Sequence, residues 1–334
     1  YQTINIAYSK DGVNFDKYDL NPIIDTKDIP SCASIYDFRD PCIFKKNGKL
    51  YIIVGSKSKD EKEAMLVLYE GEDIFHFHFL KKLVSSDKFG TMFECPNLVS
   101  FEDNNYIIMS PQNIKEKDGN FANVSSCVYF KLKGDFIHEE QTIEKVKEID
   151  HGLEYYAPTV YDDEKILVNW VQMWGRRYYL DEIHNDFINT FSLFKKVKEK
   201  DGVLSFTPLS LENYVTEKKI EKIKLNGESQ TYHNCHVHYQ VKFEKDEELC
   251  LTLEFFDSKR DKVNFVIDCK NNIYQLDRSN VSIPLNGVED SYAKDGKRYL
   301  KKEIPSNCVI DIYIDNAYVE IYFDNFEEGF SFIN

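Results

Sequence analysis

Tryptophan and glycine are scarce in this chain, which has two Trp and 14 Gly among its 334 residues. Tyrosine and phenylalanine are abundant by comparison, at 22 and 24 residues. Half-buried strands favour aromatic and β-branched side chains, so this bias predicts an all-β protein. A chain of this length is expected to form two domains, or one large domain with an appendage.

The sequence also lacks the features of membrane and nucleic-acid proteins. No run of 18 apolar residues is present, so no membrane-spanning helix is expected. The formal net charge of −15 repels phosphate backbones and anionic lipid surfaces, so we expect neither as a partner. The eight cysteines contain no CxxC pair and show no regular spacing, which indicates reduced thiols and a cytoplasmic location.

A pattern of proline, apolar strand, polar turn and second apolar strand occurs three times. The stretches are DPCIFKKNGKLYIIVGS from Asp40, CPNLVSFEDNNYIIMSP from Cys95 and APTVYDDEKILVNWVQM from Ala157. Each one is typical of a β-hairpin. Hairpins that recur at this spacing predict the four-stranded blades of a β-propeller. An ordinary β-sandwich with three similar hairpins is the alternative.

The blade pattern stops near Leu211, where the sequence becomes highly charged as far as Lys222. From about Leu225 onward, strand-like segments follow one another at short intervals with polar turns between them, which is typical of a β-sandwich. We therefore predict a propeller domain at 1–214, a linker at 215–224 and a sandwich domain at 225–334.

An acidic residue lies at or shortly before each repeated proline, namely Asp40, Glu94 and Glu154. If the repeats are blades, these residues fall near the same end of the innermost strands, where blades converge on a central funnel. Glycoside hydrolysis uses such carboxylates, because one protonates the leaving oxygen and another attacks the sugar or activates water. A lone acid is usually a solvated surface group, but three at equivalent repeat positions predict a site.

Two of these segments resemble motifs of a known family. FRDPCIF at Phe38–Phe44 resembles the Arg-Asp-Pro motif of the invertase and sucrose-6-phosphate hydrolase family of β-fructosidases, and FECPNL at Phe93–Leu98 resembles its Glu-Cys-Pro motif. The two motifs in this order and at this separation are specific, whereas either alone is weak. Further stretches resemble the family at Ile6–Ile24, Gly152–Pro158 and Asp315–Asn325.

The resemblance implies a five-bladed β-propeller followed by a β-sandwich. It also implies cleavage of terminal β-fructofuranosyl bonds in sucrose, sucrose 6-phosphate or short fructans, with retention of configuration and without a metal or other cofactor. In this family Glu94 would be the general acid/base and Asp40 would stabilise the transition state. The residues that would contact the substrate are Arg39, Cys95, Glu154 and Tyr156. An apolar thiol at Cys95 would help to keep the neighbouring carboxylic acid protonated.

The chain departs from the family in one respect that matters for catalysis. The family's nucleophile is an Asp in a Trp-Met-Asn-Asp-Pro-Asn-Gly stretch, and this sequence has none. The family's spacing places it upstream of Tyr1, so we expect the first blade to be mostly absent and the chain to be inactive by itself. It would then pair with a missing N-terminal segment or form a homo-oligomer. The alternatives are a non-catalytic carbohydrate-binding or regulatory propeller protein, or a glycosidase that uses only Asp40, Glu94 and Glu154.

Two short runs suggest other ligands. The run HNCHVH at His233–His238 resembles a metal cluster, but zinc sites need four ligands and no second cluster is evident, so a strand with ordinary histidines is expected. Arg176 and Arg177 are suited to grip a phosphate such as that of sucrose 6-phosphate, although paired arginines are often unspecific surface groups.

Overall fold

The computed structural model describes residues 1–174, 176, 190–210, 217–222, 236–256, 261–281, 296–315 and 318–333. These residues form strands and no α-helix, with two short 3-10 turns at Thr26–Asp28 and Asp324–Phe326. The all-β prediction is confirmed. No helix in this part of the chain is long and apolar enough to cross a membrane.

The strands, in chain order, are β1 Ala7–Tyr8, β2 Asp16–Lys17, β3 Ala33–Lys46, β4 Lys49–Ser58, β5 Ala64–Gly71, β6 Phe77–Ser86, β7 Met92–Ser100, β8 Asn105–Gln112, β9 Val128–Leu132, β10 Lys147–Glu148, β11 Tyr156–Tyr161, β12 Ile166–Val171, β13 Thr190–Phe191, β14 Lys195–Lys200, β15 Val203–Pro208, β16 Glu217–Lys222, β17 Val237–Glu244, β18 Cys250–Phe256, β19 Lys262–Asp268, β20 Ile273–Asn280, β21 Lys297–Lys301, β22 Asn307–Asp315, β23 Tyr318–Phe323 and β24 Glu328–Ile333.

The chain divides into two compact units that interleave along the sequence. Unit 1 comprises Tyr1–Lys115, Cys127–Lys147 and Ala157–Asp162, and unit 2 comprises Glu116–Ser126, Glu148–Tyr156 and Asp163–Asn334. The predicted domain boundaries at 214 and 225 remain predictions. Part of the predicted linker is a strand, because 217–222 forms β16, while 211–216 and 223–235 lie outside the described residues.

Two four-stranded sheets, in the orders β3-β4-β5-β6 and β10-β9-β8-β7, consist of unit 1 residues except for Glu148 of β10. Strands that follow one another in sequence and in space are what a propeller blade requires, and they confirm the first two predicted hairpins. The β3–β4 turn shows why the first of these segments forms a hairpin. Asn47 and Gly48 have φ of 51° and 82°, the left-handed pair that a tight two-residue hairpin turn demands. A blade count of five and the absence of the first blade remain predictions.

Unit 2 contains the third hairpin strand β12, which pairs with β13 and with β14, and β14 in turn pairs with β15. It also contains two larger sheets, in the orders β16-β17-β22-β23-β24 and β18-β19-β20-β21. Alternation along β17 buries Val237, Tyr239, Val241 and Phe243. These side chains join those of β19, β20 and β22–β24 in one apolar cluster, as in a β-sandwich.

Candidate active site

The residue before each repeated proline has an unusual backbone conformation. Asp40, Cys95 and Ala157 have φ of 58°, 50° and 50°, a left-handed region that few non-glycine residues occupy. In β3 and β7 the strand register shifts at the same point, between Arg39 and Cys42 and between Glu94 and Asn97. Such β-bulges interrupt pairing and turn side chains out of the regular alternation, and they are common beside active sites. In the first two repeated segments, the proline motif is therefore a β-bulge.

The first two bulges are joined through Asp40. The backbone N–H of Cys95 donates a hydrogen bond to Asp40 Oδ2 at 2.9 Å, and Cys95 Sγ lies 3.6 Å from the same oxygen. Burial, and then the negative charges of Asp40 and Glu94, raise the pKa of the Cys95 thiol well above its usual range. The thiol therefore stays neutral against the carboxylate, as an apolar neighbour and not as a nucleophile.

Arg39 connects the same bulges on their other side. Its Nε and Nη2 both donate to Glu94 Oε1 at 3.2 Å, and its Nη1 donates to Gln2 Oε1 and Asp37 Oδ1 at 3.1 Å. Glu94 is only 6% exposed, so the guanidinium is the counter-charge that allows this carboxylate to be buried. Two motif residues that are 55 positions apart thus form one ion pair.

Three residues of this group, Gln2, Asp37 and Lys57, were not predicted from the sequence. Lys57 Nζ lies 3.0 Å from Asp37 Oδ2. Asp37 had a detectable signal, because it lies two positions before Arg39 on a strand and so shares a face with it. Gln2 and Lys57 had no such signal in the sequence, because their positions depend on how β4 and the N-terminal segment pack against β3.

The third repeated segment is held beside the second by Asn97. Its Nδ2 donates to the carbonyl oxygens of Cys95 and Pro158 at 2.8 Å, and its Oδ1 accepts from the N–H of Val160 at 2.9 Å. All of these residues belong to unit 1. The three repeated segments therefore lie side by side, as the propeller interpretation predicts for innermost strands.

Glu154 and Tyr156, also predicted to contact the substrate, make their described contacts in unit 2. Glu154 is completely buried, with Oε2 accepting from the N–H of Ile333 at 3.1 Å and Oε1 at 3.8 Å from Arg176 Nη1. Burial raises the pKa of Glu154, and the nearby Arg176 offsets part of this effect. Tyr156 is 5% exposed and packs edge-to-face on Trp170. Their substrate contact remains a prediction.

Arg176 is buried and is therefore not a surface arginine. Its Nη2 donates to Asn123 Oδ1 at 3.0 Å, and Arg298 Nη2 donates to the same oxygen at 2.8 Å. These contacts give Arg176 a structural role in unit 2. Arg177 lies outside the described residues, so a phosphate grip by the pair remains a prediction.

The histidines of the HNCHVH run that the structure describes bind carboxylates. His238 Nε2 lies 2.7 Å from Asp311 Oδ1 and its ring stacks on Tyr313, while His236 Nδ1 lies 2.9 Å from Asp315 Oδ1. His233 and Cys235 lie outside the described residues. Within the described ranges, no group of three or more His, Cys, Asp or Glu side chains is arranged to hold a metal ion.

A pocket of about 430 Å³ opens beside Asp40 in unit 1. It is lined by Gln2, Thr3, Ile4, Asn5, Phe38, Arg39, Asp40 and Pro41. Its size lies in the range of small-molecule sites, and its lining is largely polar, as a sugar requires. A second pocket of about 540 Å³ in the same unit contains no motif residue and mixes three lysines with two acids. The candidate active site is therefore the pocket beside Asp40.

Comparison with known proteins shows the family to which this chain belongs. Residues 1–208 match the family model of the glycosyl hydrolases family 32 N-terminal domain. The chain belongs to glycosyl hydrolase family 32. Both bulge motifs, with Arg39, Asp40, Glu94 and Cys95, lie inside the matched region.

Curated relatives of this family 32 chain include two sucrose-6-phosphate hydrolases. The protein from Vibrio alginolyticus is 26% identical over 298 residues, covering 85% of this chain and 57% of the relative. The protein from Streptococcus mutans is 26% identical over 304 residues, covering 88% and 60%. The chain thus spans less than two thirds of the length of either relative.

Solved structures with the same fold include a family 32 β-fructofuranosidase from Bombyx mori, with a TM-score of 0.76 and 22% identity. A sucrose-6-phosphate hydrolase from Lactobacillus gasseri aligns with a TM-score of 0.75 and 19% identity. Each alignment covers 98% of this family 32 chain and 66% of the solved chain. At this identity the likeness shows the fold.

Proposed function

We propose that this chain is the acid/base-bearing part of a β-fructosidase that acts on sucrose or sucrose 6-phosphate. The observation that carries the proposal is the joining of the two motifs, in which Arg39 binds Glu94 and the Cys95 N–H binds Asp40. Asp40 lines the polar pocket, and Glu94 binds Arg39, which lines the same pocket. Glycoside hydrolysis needs two carboxylates near one sugar site. The names of the curated relatives, and a Bombyx mori variant solved with sucrose, support this substrate class.

Each carboxylate has its own task in the proposed reaction. Glu94 donates a proton to the glycosidic oxygen, so that the glycosyl bond can break and the leaving sugar departs as an alcohol. Asp40, whose Oδ2 is fixed by the Cys95 N–H, keeps its other oxygen for the fructosyl hydroxyls and for the positive charge of the oxocarbenium-like transition state. Glu94 then removes a proton from the water that releases fructose.

Retention of configuration needs a further carboxylate that attacks the anomeric carbon and forms a fructosyl–enzyme intermediate. The sequence contains no Asn-Asp-Pro-Asn-Gly stretch, so no residue of Tyr1–Asn334 is assigned to this task. We therefore propose that the chain by itself binds fructosides without turning them over.

The test combines turnover with binding on the purified chain. Fructose release from sucrose and from sucrose 6-phosphate is measured enzymatically, and fructose binding is measured by NMR titration. We expect no release, and weak binding that is lost in Asp40→Asn. Asp60→Asn is the matched control, because Asp60 is exposed and salt-bridged to Lys62 alone among the described cations.

Two results decide against the proposal in different ways. Release of fructose that falls by about 10²–10⁴-fold in Glu94→Gln would support the acid/base role but refute the inactivity of the isolated chain. Absence of both release and fructose binding would refute the sugar site itself. Glu70→Gln is the control for the Glu94 substitution, since Glu70 lies in the same unit and pairs with Lys49.

Binding without turnover that persists when the chain is studied in its complete protein would favour the second candidate, a non-catalytic carbohydrate-binding or regulatory propeller protein. The missing Asn-Asp-Pro-Asn-Gly stretch is the observation behind this candidate.

A further inference from the structure

Charges of alternating sign run from the surface of unit 1 to the buried Glu94. Glu61 pairs with Lys57 at 3.3 Å, Lys57 with Asp37 at 3.0 Å, Asp37 with Arg39 at 3.1 Å and Arg39 with Glu94 at 3.2 Å. The side chain of Glu61 is 67% exposed, those of Lys57, Asp37 and Arg39 are 20–26% exposed, and that of Glu94 is 8% exposed. Glycoside hydrolysis as described above uses Glu94, and a substrate contact is predicted for Arg39, so the roles of Glu61, Lys57 and Asp37 are unassigned.

Asp37 is the central member, because each of its carboxylate oxygens has its own cation. Oδ1 accepts from Arg39, whereas Oδ2 pairs with Lys57. Burial would raise the pKa of Asp37, but hydrogen bonds from Lys57 and Arg39 outweigh it and lower the pKa. Asp37 is consequently ionised at neutral pH and holds Arg39 by charge as well as by a hydrogen bond.

Arg39 is held at both ends of its guanidinium. Nη1 is fixed by Asp37 and Gln2, which leaves Nε and Nη2 turned towards Glu94. Burial alone would lower the pKa of Arg39, but the bonds to Asp37 and Glu94 raise it. Among the described contacts, Arg39 binds Glu94 directly, Asp37 and Lys57 are linked to it through Arg39, and the Cys95 thiol on its own strand lies near both Glu94 and Asp40.

We propose that Asp37 and Lys57 are positioning residues for the acid/base, acting through Arg39 to set how readily Glu94 takes up a proton. The inference rests on the proposed function of Glu94. A general acid must carry its proton near the working pH, and an arginine bound to a carboxylate opposes protonation. The negative charge of Asp37 offsets part of the effect of Arg39 on the protonation of Glu94. The positive charge of Lys57 in turn offsets part of the effect of Asp37.

The test follows the protonation of Glu94 directly and needs no turnover. The chain is labelled with ¹³C at the glutamate carboxyl carbons, and the Glu94 resonance is identified as the one missing from Glu94→Gln. Asp37→Asn keeps an oxygen for Arg39 and removes the negative charge together with the oxygen that pairs with Lys57, so the titration midpoint of Glu94 should fall by about half a pH unit. Lys57→Met should raise it by a similar amount, and the double variant should titrate close to the unaltered chain.

The matched controls come from the same sheet. Lys49 lies on β4 like Lys57 and pairs with Glu70 at 2.8 Å, so Lys49→Met and Glu70→Gln change the net charge equally without touching this series. Both should leave the Glu94 midpoint unchanged. Midpoints that stay fixed in Asp37→Asn and Lys57→Met, or that move in the same direction, would overturn the proposal. Absence of both fructose binding and fructose release would refute the proposed function while leaving this titration result intact.

Discussion

The carboxylate of Asp40 accepts a hydrogen bond from the backbone N–H of Cys95 across 55 positions of sequence. The bond is possible because both residues sit on bulges, with left-handed backbones that break the regular pairing of β3 and β7. A regular strand would commit the Cys95 N–H to its own ladder. The bulge is thus the device that joins one motif to the next, and four predictions concern the structure around it and in unit 2.

Asn97 should be important for the stability of unit 1. Asn97→Ala removes bonds to two carbonyl oxygens and one N–H, so we expect a loss of about 2–3 kcal/mol in the free energy of unfolding. Chemical denaturation in urea measures the change. Thr159→Ala, an exposed position on β11, should cost less than about 0.5 kcal/mol. Equal losses of stability in Asn97→Ala and Thr159→Ala would contradict the stabilising role of Asn97.

Gly55 should tolerate no side chain. A Cβ at this position would lie 2.2 Å from the carbonyl oxygen of Phe93 and 3.3 Å from that of Arg39. Gly55→Ala must push these backbones apart, at a cost of about 2–3 kcal/mol, and should also weaken the Arg39–Glu94 pair. Gly48→Ala is the control variant. A Cβ at Gly48 would meet no atom within 4 Å, so the substitution strains only the backbone φ of +82° and should cost about 1 kcal/mol of stability. Urea unfolding of both variants measures the two losses in the free energy of unfolding. A smaller loss for Gly55→Ala than for Gly48→Ala would refute the prediction.

The ion pair of Lys195 and Glu320 is buried in unit 2, with both side chains 1% exposed and 3.0 Å between Nζ and Oε2. Lys195→Met leaves a buried carboxylate without its cation and should cost about 3–5 kcal/mol. Adding Glu320→Gln should recover part of this loss, because the remaining group is then neutral. Lys262→Met breaks an exposed pair with Glu254 and should cost at most about 1 kcal/mol. Thermal unfolding that is equally affected by both lysine variants would contradict the argument.

Unit 2 should lose stability as the pH rises above neutrality. Burial would lower the pKa of His151, but the carboxylates of Glu148 and Glu328, at 3.3 Å and 2.9 Å from its ring nitrogens, raise it from 6.5 to about 10. The folded state therefore holds a proton that the unfolded state has released, and this stabilisation is complete below pH 6.5 and lost between pH 6.5 and 10. The free energy of unfolding should fall by about 2–4 kcal/mol over that interval.

The His151 prediction is checked by urea unfolding at several pH values, followed by the fluorescence of Trp170 and Trp174. His151→Gln should flatten the decline, because it removes the group that releases the proton. His236→Gln, whose side chain is 41% exposed, should leave the slope as it is. A slope that does not change in His151→Gln would mean that other groups are responsible.

The sequence by itself determined the elements and the motifs. Alternation of apolar and polar residues predicted strand β17, and the Asn-Gly pair predicted the β3–β4 turn. The pattern of an acid close to a proline pointed to Asp40 and Glu94. These features could be predicted because each depends on residues that are close together in the chain. The family motifs are local in the same sense.

Tertiary structure alone decided the partners of those residues. Gln2 and Lys57 hold the charges around Arg39 through pairing and packing that no local pattern encodes. The burial of Glu154 beside Arg176 likewise depends on the fold of unit 2, and the charged segment 217–222 became a strand by pairing with β17 in spite of its composition. The physical reason is the same in each case, since hydrogen bonds and ion pairs between distant strands depend on register and packing, which arise only when the sheets assemble.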